Sequence, residues 1–161
     1  MSLQQSIEQF MYRLAELCDD RDWDGYLEQF APECEFHIPQ WKNEYELTRD
    51  PKREMSLMYY ADRTGLEDRV FRLCTGKSAA STPMPRTLHL IDNVRCEEQG
   101  DGIVQVRVNW VTHFYRFGES NHFFGTADYT LRGEGDSWKV LRKHTVLLND
   151  KIDSVLDFYH V

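Results

Sequence analysis

Two groups of residues in this chain have the types and spacing to do chemistry. The first is Cys34-x-x-His37, with Cys18 sixteen residues before it. A thiolate and an imidazole so spaced have the form of half a Rieske-type ligand set, which takes two cysteines and two histidines. The other half needs a histidine beside Cys18, but Asp19 and Asp20 stand there. Cys18 also closes a predicted helix and Cys34 opens a predicted strand, which is the wrong setting for two loops gripping a cluster. No His-x-x-x-His pair occurs and no three ligands gather locally, so mononuclear iron or zinc has no visible site. The remaining cysteines, Cys74 and Cys96, are isolated and read as small apolar groups.

The second group is Arg142 and His144. They interrupt Trp138, Val140 and Val146 on what alternation assigns as a core-facing strand surface, and His144 falls opposite Gly125. A glycine beside a histidine in an apolar trough leaves room for a small ligand, and a desolvated histidine can act as acid or base. The plainer reading, a rim position or a bond to a buried acceptor or neighbouring subunit, is preferred. On the opposite face Asn109 is expected beside Asp128 and Tyr115 beside His122, which suits a solvated or subunit-facing surface. Gly100, Gly102, Gly133 and Gly135 are hairpin glycines, not a phosphate loop opening a helix. No Gly-x-Ser-x-Gly nucleophile motif exists.

These groups depend on a sheet. Ile103 to Phe117 alternates strictly, with Val104, Val106, Val108, Trp110 and Phe114 on one face, as a half-buried strand does. Gly118-Glu119 is expected to turn it in a type II′ hairpin, setting Phe114 opposite Phe123, Trp110 opposite Ala127 and Val106 opposite Leu131. A turn at Glu134-Gly135 then sets Leu131 opposite Trp138 and Tyr129 opposite Val140. On the other side, a bulged three-residue loop is expected to align Leu90 with Trp110 and Val94 with Val106. Four long antiparallel strands follow in sequence.

Upstream, a Ser2/Gln5 capping box opens a helix over 3–18, and Asp22 caps a shorter one carrying Trp23, Tyr26, Leu27 and Phe30. A short strand 34–38 is stopped by Pro39, residues 40–53 form a surface loop, and 55–61 can be read as a helix opened by Asp50-Pro51 or, by the alternation of Leu57, Tyr59 and Ala61, as a strand, the preferred reading. Thr64 and Glu67 have the form of a second capping box, for a helix with Leu66, Val70 and Leu73 on one side and Gly76 beyond its end. The tail carries Val155, Leu156, Phe158 and Tyr159 and must pack on this subunit or a neighbour. The order is ααββαββββ, an α+β domain in which helices close the mouth of a curled antiparallel sheet.

At 161 residues the chain is expected to be one domain, 1–161, with a core that needs no staples. A net charge of −8 argues against nucleic acid or anionic membrane as partners. No run of about 18 apolar residues and no basic-then-apolar leader occurs, so the expected location is cytoplasmic, with the four cysteines reduced. The third helix presents Asp68, Arg69 and Arg72 after Asp62-Arg63, near Tyr59 and Tyr60. Such charges usually form a solvated face, but aromatic and arginine residues so mixed are also enriched at protein interfaces, and the two readings stand equal. Tyr59, Tyr60, Asp62, Arg69, Arg72, Arg86, Phe158 and Tyr159 are therefore the candidate subunit-interface residues; no catalytic, cofactor-binding or metal-binding residue is assigned.

Several stretches carry a resemblance: EMSLMYYADRTGLEDRVFRL (54–73), PRTLHLIDNV (85–94), EQGDG (98–102), HFFGTADY (122–129), KHTVLLNDKID (143–153) and the ending LDFYHV. Together they resemble the small (β) subunit of bacterial aromatic-ring-hydroxylating dioxygenases, in the benzoate and anthranilate branch. The resemblance implies a nuclear-transport-factor-2-like (cystatin-like) cone. It implies assembly with a large (α) subunit and sister small subunits as an α3β3 hexamer. The large subunit would carry the Rieske [2Fe-2S] cluster and mononuclear Fe(II), and an FAD/[2Fe-2S] reductase would supply electrons from NADH. The small subunit would be mainly structural, and the reaction would be cis-dihydroxylation of an aromatic carboxylate. The competing reading is a stand-alone cone-fold isomerase or dehydratase using His144 in the cavity.

Overall fold

The computed structural model describes residues 1–153 and 155–161. Helix α1 (Leu3–Asp19) begins at Ser2, whose side chain accepts from the Gln5 N–H while Gln5 bonds back to the Ser2 backbone. This reciprocal pair satisfies two of the free donors at a helix start. Its buried stripe is Ile7, Phe10, Met11, Leu14, Leu17 and Cys18. Asp22 caps α2 (Trp23–Glu28) through the Gly25 N–H. There follow β1 (Phe30–Pro39), β2 (Ser56–Tyr60), α3 (Thr64–Cys74), β3 (Arg86–Gly100), β4 (Ile103–Arg116), β5 (Glu119–Glu134) and β6 (Ser137–Leu147). A single 3-10 turn at Phe158–His160 ends the chain.

The element order is the expected one, with two corrections at the level of single elements. β1 starts at Phe30, four residues earlier than Cys34, because Phe30 pairs with Val140 of β6 instead of ending a helix. The Thr64/Glu67 capping box does not form. Arg63 occupies the cap position without a side-chain bond, the Asp62 carboxylate accepts the Thr64 N–H at 2.8 Å, and Arg63 pairs with Glu67 at 2.7 Å.

The six strands form one sheet in the order β2-β1-β6-β5-β4-β3. It is mixed and not purely antiparallel, since β1 runs parallel to β6. The concave face holds one continuous core in which α1, α2 and the tail pack on Phe36, Val106, Val108, Trp110, Tyr129 and Leu131.

Register is where the structure departs furthest from the expected pattern. Phe117 and Gly118 both have positive φ (53° and 76°), the signature of a type I′ turn, and Arg116 lies opposite Glu119. The β4–β5 pairs therefore shift by two residues: Val106 meets Tyr129, Trp110 meets Gly125 and Thr112 meets Phe123. A shift of two keeps every side chain on its face, so the apolar pattern could not distinguish the two registers. In the β3–β4 hairpin, Asp101 and Gly102 make the turn, and irregularities at 92–95 and 98–100 adjust the pairing. Ile91, not Leu90, lies opposite Trp110, and Cys96, not Val94, opposite Val106.

The β5–β6 correction matters most. Leu131 pairs with Val140, but Thr130 pairs with Arg142, so Leu141 is an extra residue on β6. One inserted residue reverses the facing of everything after it. Lys143, Thr145 and Leu147 point into the core, while Arg142 and His144 point out.

Candidate functional site

Because of that bulge, the concave interior contains a lysine where alternation had placed a histidine. Lys143 is buried between the rings of Phe36 (5.2 Å from ammonium to centroid) and Tyr129 (5.7 Å). Its ammonium donates to the Val161 carbonyl at 3.2 Å. Burial disfavours the charged form and brings its pKa down to about 8. The neighbouring thiols of Cys18 and Cys34 are pushed by burial up to about 12, so both stay protonated.

A second polar pair stands at the edge of the same space. The Asp19 carboxylate, at the end of α1, accepts from the His89 N–H at 2.9 Å and bonds His89 Nδ1 at 2.5 Å; Thr87 Oγ1 donates to it at 2.9 Å. Burial alone would raise the Asp19 pKa, but these bonds outweigh it and the value is lowered. The other ring nitrogen of His89 is buried without a hydrogen-bond partner among the described residues.

Lys143, His89, Thr145, Tyr129, Cys18 and Trp110 line one cavity under α1. Measured as the space open to the centre of a water molecule, it is about 20 Å³. That is enough for a single water, whereas ligand pockets run to roughly 300–1,000 Å³. The rest of the interior is filled by the tail, where Phe158, Tyr159, His160 and Val161 are all buried. Among the described residues this cavity is polar in places, but it is too small for a substrate.

The expected His144 site is therefore corrected. His144 lies opposite Asp128 on the convex face, with its ring 5.1 Å from that of His37. Gly125 does not open a space either. A Cβ built there would lie 1.8 Å from the Val146 carbonyl oxygen, so the glycine exists to let two backbones approach. Around the histidines, Glu35 accepts from Arg142 Nε and the Tyr59 hydroxyl, both at 3.1 Å, and His37 Nε2 bonds Ser56 Oγ at 3.1 Å. Asp128 faces Arg107 and not Asn109, and His122 faces His113 and not Tyr115. Cys34 and His37 cannot share a ligand: Cys34 is in the core, whereas His37 faces Tyr59 and His144. Among the described residues, no group of three His, Cys, Asp or Glu side chains is placed to hold a metal ion.

The candidate interface residues separate into three groups. Asp62, Arg72 and Arg86 are exposed, Arg86 lying 4.8 Å over the Tyr115 ring. Tyr59 and Tyr60 are half-buried, Tyr60 packing on Phe36. Arg69, Phe158 and Tyr159 are committed within this chain. Arg69 forks onto Asp157 (Nε to the two carboxylate oxygens at 3.1 and 2.9 Å) and bonds Ser78 and Ser81. Phe158 and Tyr159 are 0% and 1% exposed, so their apolar surface is buried in their own cone and not in a neighbour.

Lys143 and the Asp19–His89 pair were not anticipated. His89 has no partner nearby in the sequence, and uninterrupted alternation puts Arg142 and His144, not Lys143, on the core face.

A curled sheet closed by helices, with its interior filled, defines a cone-fold domain. The crystal structure of a putative scytalone dehydratase from Novosphingobium aromaticivorans shares that fold, with a TM-score of 0.68 over 96% of this chain and 91% of that one; at 13% identity the likeness extends to fold alone. Residues 13–154 match the family described as ring hydroxylating beta subunit. The anthranilate 1,2-dioxygenase small subunit of Acinetobacter baylyi is 50% identical over 161 residues, covering 100% of this chain and 99% of that protein. The crystal structure of the beta subunit of benzoate 1,2-dioxygenase from Burkholderia mallei superposes with a TM-score of 0.83 at 37% identity, covering 100% and 98% of the two chains. The chain belongs to the family of ring-hydroxylating beta subunits.

Proposed function

We propose that this chain is the structural small subunit of a multicomponent Rieske non-haem iron dioxygenase that cis-dihydroxylates an aromatic carboxylate of benzoate or anthranilate type. The observation that carries the reading is the end-to-end identity of 50% with an anthranilate 1,2-dioxygenase small subunit. The filled interior is consistent with it, because the cavity lined by Lys143, His89 and Trp110 admits about one water. On this reading the chemistry belongs to a large subunit holding the [2Fe-2S] cluster and mononuclear Fe(II), fed from NADH by an FAD/[2Fe-2S] reductase, in an α3β3 hexamer. The cone supplies a rigid body on which that subunit is held.

The test is to purify the chain alone and after co-expression with a large subunit, then supply each with reductase, NADH and benzoate or anthranilate. The isolated chain should bind no stoichiometric iron and consume no aromatic acid, and the co-purified complex should do both. Turnover by the isolated chain overturns the reading.

A further inference from the structure

A second cavity lies where the loop around Ala80 and Pro85, the β4–β5 hairpin and the tail meet. Measured as the space open to the centre of a water molecule it is about 120 Å³, against about 20 Å³ for the cavity under α1. Its buried side is aromatic. The Phe114 and His160 rings meet edge to face at 4.8 Å, and buried Pro85 packs beside them. His160 is only 4% exposed, and its Nδ1 accepts the Asp157 N–H at 2.9 Å. With Nδ1 so occupied, the neutral ring carries its proton on Nε2, which makes that nitrogen a donor.

The outer side is charged. Arg116 donates from Nε to the Pro83 carbonyl at 2.9 Å and from Nη2 to the carbonyls of Ala79 and Thr82 at 2.8 and 3.2 Å. These bonds fix the plane of the guanidinium, and none uses Nη1, whose two N–H groups remain to donate. Asn121 adds an amide, and Glu119, opposite Arg116 in the hairpin, lines the same space. Phe117 lies at the mouth, 73% exposed and at a strained φ of 53°, with the Arg116 guanidinium 4.6 Å above its ring. A large exposed side chain held in such a backbone conformation is a mark of a binding site. A ligand that satisfies this lining has a flat apolar body, an anionic end for the fork and the imidazole N–H, and a donor for Glu119. A simple inorganic anion leaves the rings bare and meets Glu119 as a like charge. A purely apolar ligand leaves Arg116 and the Nε2–H desolvated without partners. We infer that this cavity binds a monocyclic aromatic carboxylate carrying an amino or hydroxyl group on its ring. The ring packs on Phe114, the carboxylate accepts from Arg116 and His160, and the ring substituent donates to Glu119. The inference rests on the small-subunit reading for one point alone, that an acid of this class is what the assembly handles; the ligand class follows from the lining.

Titration calorimetry on the purified full-length chain tests it, with 2-aminobenzoate, benzoate, acetate and inorganic phosphate as the probes. 2-Aminobenzoate should fill one site with a Kd of about 1 mM or below, benzoate should bind several-fold more weakly, and acetate and phosphate should not saturate. Amide shifts in the NMR spectrum should move at residues 114–121 and 158–161. Arg116→Gln should weaken 2-aminobenzoate by about tenfold or more. Because Arg116 also ties down the 79–83 carbonyls, Glu119→Ala is the second variant. It alters an exposed side chain, so the melting temperature should hold while the preference for 2-aminobenzoate over benzoate disappears. No saturation by about 10 mM 2-aminobenzoate overturns the inference. So do acetate or phosphate binding as tightly, shifts confined to another part of the chain, or a Glu119 variant that keeps the full preference. A chain that binds no aromatic acid yet completes an active dioxygenase overturns this site and leaves the proposed function standing; one that binds the acid but completes no dioxygenase does the reverse.

Discussion

Lys143 is the residue whose placement costs the fold most. A lysine that keeps its proton only up to about pH 8 in the folded chain, against 10.5 ordinarily, is held near neutral pH in a charged form that the interior disfavours. The unfolded chain binds the extra proton more readily between those two values, so stability rises with pH across that window and the penalty is complete below about pH 8. The difference corresponds to a few kcal/mol, on the order of 3. Contacts with the Phe36 and Tyr129 rings and the Val161 carbonyl offset part of it. Lys143→Met keeps the volume and removes the charge, so it should stabilise the chain by about 1–3 kcal/mol near neutral pH. Urea denaturation should show that gain shrinking as pH rises through the window and nearly absent by about pH 10. Gly125 is the opposite case. Its Cα faces the Val146 carbonyl so closely that Gly125→Ala must push β5 and β6 apart. The expected loss is about 3 kcal/mol or more, read from the same denaturation curves.

Among the elements, the tail is tied down by one buried ion pair. Asp157, 2% exposed, receives the Arg69 fork, caps the Phe158 N–H at 3.0 Å and so seats the 3-10 turn inside the cone. Asp157→Asn leaves the guanidinium without its counter-charge, and removing one partner of such a pair costs about 3–5 kcal/mol. Hydrogen exchange should show the loss first in residues 158–161. The tail also senses acid. Burial brings His160 down to about 4, against 6.5 ordinarily, so stability is complete above about pH 6.5 and lost as pH falls toward 4. His160→Phe, placed between Phe114 and Phe123, should flatten that limb relative to wild type. None of this was legible beforehand, because the tail pattern said only that Phe158 and Tyr159 need cover. By contrast, the strict alternation of Ile103 to Phe117 defined β4 nearly to the residue, and Ser2 with Gln5 defined the start of α1. Alternation fails where one residue is inserted. Leu141 looks like any strand residue, yet it decides that Lys143 and not His144 enters the core. Turns fail for a related reason: Phe117 adopts positive φ against its own preference because the flanking strands demand a type I′ twist.

At the scale of the whole molecule, the same bulge separates two functional readings of one fold. A cone-fold enzyme needs an open interior with an acid–base group facing a substrate. Here the tail, α1 and Lys143 leave room for about one water, and the histidine proposed for that role is outside. His144 nonetheless lies near Glu35, Arg142, His37 and Asp128 on a polar stretch of the convex face; burial first, then Arg142 and His37, lower its pKa. If that stretch took part in proton transfer, losing the imidazole would reduce turnover by about 10²–10⁴-fold. A scaffold residue touches no reacting atom, so His144→Ala should leave the turnover number of the co-purified dioxygenase within about twofold of wild type, a range well below that catalytic contribution. Measuring NADH and aromatic acid consumption in the assembled enzyme, with iron content and subunit ratio checked in parallel, separates the two outcomes. A large fall in turnover with iron and stoichiometry intact would place catalysis on this chain after all; a fall that follows lost large subunit would place His144 in the scaffold's contact surface.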